Sequence, residues 1–154
     1  MRAEDEPIFV ESFKQLSTEE VRMRFMHTVK ELTHEEAARL TQIDYDREMA
    51  LVVFRQRSGQ PLESCGVARL MRDLHDSGRA EFAIVLLRAA TGIGLGGLLV
   101  RRLIRHARAR GFRELFGEIL RENEPMLALC RAMGFGVAVC PDDAGVMIAR
   151  LPLV

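Results

Sequence analysis

The most constraining feature of this chain is Gly92-Ile93-Gly94-Leu95-Gly96-Gly97, lying between a β-rich run and an amphipathic one. After it, Leu95, Leu98, Leu99, Leu103, Ile104 and Ala107 fall on one helical stripe as far as Arg110. Glycines let backbone amides approach a ligand closely, and a helix N-terminus adds about half a positive charge. A phosphate or pyrophosphate is the natural guest, and a merely tight strand–helix turn is the alternative. So many glycines cost backbone entropy that a plain connection would not need. Gly92, Gly94 and Gly97 also satisfy Gly-x-Gly-x-x-Gly, the dinucleotide expression, which belongs after the first strand of alternating strand–helix units. That context is missing, and no Gly-x-x-x-x-Gly-Lys-Ser/Thr is present, so nucleotide enzymes are disfavoured.

What precedes the loop is a meander. Met49 to Arg55, Cys65 to Met71 and Ala80 to Leu87 read as strands, turned at Ser58-Gly59 and at Asp76-Ser77-Gly78. Upstream, two capping boxes, Ser17-Thr18-Glu19-Glu20 and Thr33-His34-Glu35-Glu36, open a helix over 17–31 and a short one through Leu40. Downstream of the helix, Gly111 stands at a C-cap position and Leu115 to Leu120 is a strand. Pro125 to Met133 is a helix followed by Gly134, and Phe135 to Cys140 and Val146 to Leu151 are closing strands around Pro141 to Gly145. The expected order is helix, helix, three strands, helix, strand, helix, two strands, with no linker or repeat: one α/β (α+β) domain over residues 1–154.

Composition narrows the function classes. With 48% hydrophobic and 29% charged residues among 154, the chain can bury a sizeable core and is not disordered. Lys+Arg 22 against Asp+Glu 22 leaves no net charge, which argues against nucleic-acid and membrane-surface partners. No window is apolar enough for a membrane span, and no signal-peptide pattern opens the chain. Cys65, Cys130 and Cys140 are an odd, widely spaced set with no metal-ligand spacing, which reads as a reducing cytoplasm and no metal.

The run Glu81-Phe82-Ala83-Ile84-Val85-Leu86-Leu87, glycine loop, amphipathic helix, strand, Asn123 and helix ending Met133-Gly134-Phe135 resembles the GNAT superfamily of N-acetyltransferases. That resemblance implies a mixed, mostly antiparallel sheet flanked by helices, with two strands splayed around acetyl-CoA. The family's pyrophosphate motif, Gln/Arg-x-x-Gly-x-Gly/Ala, maps onto Thr91-Gly92-Ile93-Gly94-Leu95-Gly96, with Thr91 where Gln or Arg is usual. A narrower resemblance is to the GNAT domain of bacterial protein lysine acetyltransferases, many of which carry it after an acyl-CoA-synthetase-like domain. It rests on Leu40-Thr41-Gln42-Ile43-Asp44-Tyr45-Asp46-Arg47-Glu48-Met49-Ala50-Leu51, with Arg22-Met23-Arg24-Phe25 and Gly117-Glu118-Ile119-Leu120-Arg121-Glu122-Asn123. Such domains open with a strand before the segment resembling Ala3 to Pro7, so this chain reads as an excised domain or a shortened stand-alone version.

Acetyl transfer to a lysine needs a neutral amine, and free lysine has a pKa near ~10.4, so a carboxylate must take a proton directly or through water. The resemblance places the catalytic glutamate at Glu81, with Glu118 on the next strand as the alternative base. It places pantetheine in the gap between strands 80–87 and 115–120. There backbone groups of Ile84, Val85 and Leu86 would bond it, and one amide would steady the oxyanion. Thr91, Gly92, Ile93, Gly94, Leu95, Gly96 and Gly97 would hold the pyrophosphate. Asn123 either reaches the pantetheine amide or caps the next helix. Where many members have a tyrosine that protonates the departing thiolate, this chain has Cys130, a weak donor or a buried structural thiol. Arg101, Arg102, Arg105, Arg108 and Arg110 read as a solvated face, with one or two in reach of a CoA phosphate. The expected activity is acetyl-CoA-dependent N-acetylation of a protein lysine, the target being an AMP-forming acyl-CoA synthetase. Acetylation of a small amine, and a regulatory domain that binds an acyl-CoA without transfer, are the alternatives. The sequence leaves monomer or dimer open.

Overall fold

The computed structural model describes residues 1–17, 33–42, 48–56, 58–86 and 94–154. Its elements are a 3-10 turn at Ala3–Asp5, then α1 (Glu6–Phe13), α2 (His34–Thr41), β1 (Glu48–Arg55), β2 (Glu63–Arg72) and β3 (Arg79–Leu86). After them come α3 (Leu95–Ala109), β4 (Glu114–Leu120), α4 (Glu124–Ala132), β5 (Gly136–Cys140) and β6 (Asp143–Pro152). The six strands form one sheet ordered β1-β2-β3-β4-β6-β5, antiparallel everywhere except between β3 and β4.

The expected elements that fall on described residues are present within a residue or three of their sequence bounds, and their local causes are visible. At the start of α2, Thr33 Oγ1 accepts from Glu36 N at 3.2 Å, while Thr33 N donates to Glu36 Oε2 at 3.1 Å. Two orphan donors are thus satisfied reciprocally. Gly111 and Gly134 end α3 and α4 with φ of 82° and 93°, a left-handed conformation that favours glycine. The helix expected over 17–31 lies outside the described residues except for Ser17, and so does the centre of the 40–51 segment, including Tyr45.

Two points differ from expectation. The stretch before Ser17 holds α1, with Pro7 in its first turn and Phe13 buried against Ala37 and Leu40. Its signal was Pro7 followed by Phe9, Val10 and Phe13 at helical spacing, without a capping box to announce it. The last strand begins at Asp143 rather than Val146, because β5 and β6 pair down to Cys140↔Asp143 across a tight hairpin with a bulge.

Cross-strand partners share a face, so the register sorts the side chains. Ala80, Phe82 and Ile84 of β3 point to the main core, with Leu99, Val100, Leu103 and Ile104 of α3 and Leu127 and Cys130 of α4. Glu81, Ala83 and Val85 point to the opposite face, which carries α1. An apolar pocket of about 480 Å3, counting its open mouth, lies there between α1, α2 and β2, with Val67 and Val85 on its floor.

Candidate active site

Only Arg79↔Glu114, Ala80↔Leu115 and Glu81↔Phe116 pair between β3 and β4. Beyond Glu81 the two strands diverge, although β3 continues to Leu86 and β4 to Leu120. The closed end is held by charge. Arg79 Nε donates to Glu114 Oε1 at 2.8 Å, its NH1 lies 3.4 Å from Asp73 Oδ2, and its guanidinium stacks 4.1 Å from the Phe116 ring centroid. Asp76 adds a second clamp by accepting from Gly78 N at 3.0 Å and from the Arg113 guanidinium. The Gly78 amide first, then the Arg113 guanidinium, holds the Asp76 carboxyl below the usual carboxylate range.

Past the last rung, β2 occupies one edge of β3, so alternate backbone groups from Phe82 to Leu86 face an open gap. An extended molecule with its own amides fits there as an added strand. Glu81, half-buried, sits on the last closed rung. Glu118, exposed, stands two residues past Phe116 on the other limb and on the same face. The gap therefore has one carboxylate at its apex and one on its far wall. Gly117, between Phe116 and Glu118, is required by packing: a β-carbon there would lie 2.6 Å from Phe82 Cε1 and 2.7 Å from Cζ. Glycine inside a strand is a sign of close approach that Gly117 carries in the sequence itself.

Two helices start at the open end, and they differ. In α4, Asn123 Oδ1 accepts from Met126 N at 3.4 Å, and Glu124 occupies the first turn. Asn123 thus caps the helix, its carbonyl oxygen engaged there. The start of α3 has neither a capping side chain nor an acid in its first turn, and its N-cap Gly94 has φ of 83°. Among the described residues no side chain caps its first N–H groups, and such a helix start with its positive dipole end suits an anion. Gly96 brings this start close to α4 and to the end of β3, since a β-carbon there would sit 3.1 Å from Leu129 Cδ2 and 3.6 Å from Leu86 Cδ1. Leu95 and Gly97 belong to the same turn; Thr91, Gly92 and Ile93 lie outside the described residues.

Cys130 is fully buried in the main core, and burial pushes its thiol up to about 11. Among the described residues no group of three or more His, Cys, Asp or Glu could hold a metal. No helix among them is long and apolar enough to cross a membrane.

Comparison with known proteins agrees with this geometry. The family described as "Acetyltransferase (GNAT) domain" matches residues 1–136. The acetyltransferase PA5475 of Pseudomonas aeruginosa is 32% identical over 153 residues, spanning 99% of this chain and 81% of that protein. The GNAT domain of S. lividans PAT superposes with a TM-score of 0.86 at 22% identity, covering 99% of this chain and 88% of its own. Salmonella typhimurium yncA, solved with its cofactor acetyl-CoA, gives a TM-score of 0.68 at 20% identity, over 100% of this chain and 91% of its own. With a strand pair that opens after three rungs and an uncapped, glycine-lined helix start at its mouth, the chain belongs to the GNAT family of acetyltransferases, enzymes that take acetyl-CoA as co-substrate.

Proposed function

We propose that this enzyme acetylates the side-chain amine of a protein lysine, with an AMP-forming acyl-CoA synthetase as the target class. The observation that carries the catalytic part is Glu81 on the last closed rung, at the apex of the gap between β3 and β4. The lysine nitrogen attacks the thioester carbonyl carbon, and Glu81, directly or through one water, accepts the proton the nitrogen sheds. A backbone amide of the Ile84–Leu86 stretch donates to the oxyanion. The C–S bond then breaks, and CoA leaves as a thiolate that solvent protonates. Complete burial and a raised pKa support a packing role for Cys130 rather than that of proton donor. The 40–51 segment and the similarity to the S. lividans PAT domain support the protein-lysine acceptor. Labelled acetyl-CoA offered with a panel of AMP-forming synthetases, polyamines and free amino acids should label the synthetases alone. Labelling of only the small amines would overturn this choice of acceptor, and tight CoA binding without turnover on any amine would indicate a regulatory domain.

The phosphate end of the site is Gly92 to Gly97. Replacing Gly96 with Leu should raise the acetyl-CoA dissociation constant at least ~10-fold, about 1.4 kcal/mol. The new side chain must push between Leu129 and Leu86 and would cover the helix start. Gly94→Leu should act through its left-handed backbone instead, since nothing lies within 4 Å of the added carbon. Calorimetric titration of folded variants is the measurement, and unchanged affinity in both would remove the loop from the site.

A further inference from the structure

The sheet face that carries Glu81 also carries an apolar pocket that acetyl transfer leaves unused. It encloses about 480 Å3 counting its open mouth, and its floor is Val67 of β2 and Val85 of β3, which are cross-strand partners. Val85 links it to the chemistry. Its side chain is pocket floor, while its backbone belongs to the Ile84–Leu86 stretch along the open gap. Phe9 and Phe13, one turn apart on α1, wall the pocket together with Leu16 and Leu40. Polar groups on the lining are turned to partners inside the protein. Ser12 Oγ donates to Ile8 O at 2.6 Å, and Cys65 Sγ to Val53 O at 3.5 Å. Arg69, 7% exposed, lies over the Phe9 ring, 5.8 Å from its centroid. Such a recess suits an apolar guest; a charged or hydrogen-bonding one would lose its hydration there without replacement.

We propose that this pocket receives the acyl chain of the donor, so that the enzyme takes propionyl- and butyryl-CoA as well as acetyl-CoA. The inference rests on the reading in which a backbone amide of Ile84–Leu86 holds the thioester oxygen. With the carbonyl there, its apolar substituent starts beside Val85, at the pocket floor. The acceptor nitrogen approaches instead from the side of Glu81, toward the closed end of the strand pair. The floor also limits chain length. Cys65, Val67 and Arg69 alternate on one face of β2, and a strand rises ~3.3 Å per residue, so neighbours on that face stand ~6.6 Å apart. Past Val67 the chain meets the Arg69 guanidinium on one side and Cys65 on the other, which leaves room for a few methylenes and not for a fatty chain. The transfer itself is unchanged. The amine nitrogen bonds the acyl carbon and its proton passes to Glu81, the C–S bond breaks, and CoA leaves as the thiolate.

The test is calorimetric titration of CoA and of acetyl-, propionyl-, butyryl- and decanoyl-CoA, without acceptor, into the wild type, Val67→Phe and Ser12→Leu. In the wild type affinity should rise ~4-fold for each methylene from acetyl to butyryl, and decanoyl-CoA should bind no better than butyryl-CoA. Both variants fill the pocket, so the gain should vanish while CoA and acetyl-CoA stay within about twofold of wild type. Butyryl-CoA bound no tighter than acetyl-CoA by the wild type would overturn the proposal, and so would variants that keep the gain. A raised KM for the amine in both variants, with thioester binding unmoved, would also overturn it by assigning the pocket to the acceptor. If one variant binds no CoA, the other decides; if neither does, the wild-type series decides alone. A wild type that binds neither CoA nor any thioester would bring down the reading of the gap first.

Discussion

Glu81→Gln should lower kcat by ~10²–10⁴-fold while acetyl-CoA affinity hardly moves. The substitution keeps the size of the side chain and its capacity to hydrogen-bond, and removes only the proton acceptor. On the last rung between β3 and β4, the residue is fixed by pairing to Met71 on one side and Phe116 on the other, so the amide should occupy the same place. The wild-type rate should rise with pH, because the acceptor lysine becomes easier to deprotonate as its ordinary pKa near ~10.4 is approached. Steady-state kinetics with a saturating acceptor, run beside Glu118→Gln, decides the assignment. If Glu81→Gln keeps more than about half the activity while Glu118→Gln loses it, the base is Glu118. If both stay active, the site works mainly by positioning two reactants, and water takes the proton.

The second large effect should come from Gly117→Val, which carries no catalytic group. The added β-carbon falls 2.6 Å from Phe82 Cε1, and that ring is already tilted against Phe135 with centroids 5.3 Å apart. Phe82 is 5% exposed and has nowhere to retreat. Overpacking of this kind costs about 1–3 kcal/mol, so the melting temperature should fall by roughly 2–4 °C per kcal/mol. Because Gly117 lies one residue past the last rung, the wedge also forces the limbs apart, and acetyl-CoA affinity should fall with stability. A melting temperature within about 1 °C of wild type would show that the sheet tolerates the side chain.

Much of this architecture was legible in the residues, for identifiable reasons. Glycine turns, the Thr33–Glu36 box and the stripe from Leu95 to Ala107 are local signals, and local chemistry decides them. The parallel step between β3 and β4 is not local: it depends on α3 carrying the chain back across the sheet. The divergence after Glu81 was expected only through family resemblance, because nothing in the composition of residues 82–86 marks where pairing stops. α1 was missed because it announces itself by packing against Ala37 and Leu40 rather than by a cap. Of the candidate site, Gly94 and Gly96 could be named from the glycine run, whereas Glu81 and Asn123 were named through the family resemblance. The clamps formed by Arg79 with Glu114 and by Arg113 with Asp76 join residues 35 and 37 positions apart, which no periodicity reveals.

The three rungs between β3 and β4 also make this sheet two leaves, β1-β2-β3 and β4-β6-β5, bound along a short spine. Beyond Glu81 and Phe116 each leaf presents an inner margin that the β3–β4 ladder does not pair, the kind of edge proteins ordinarily blunt or cover. With the pantetheine arm laid between them, as proposed above, the co-substrate would join the two leaves. Occupancy and resistance to unfolding are then one linked quantity. At a ligand concentration one hundred times its dissociation constant, the folded state gains ~2.7 kcal/mol. The converse follows by the same linkage: any change that loosens the spine, however far from the thioester, is paid in affinity for CoA.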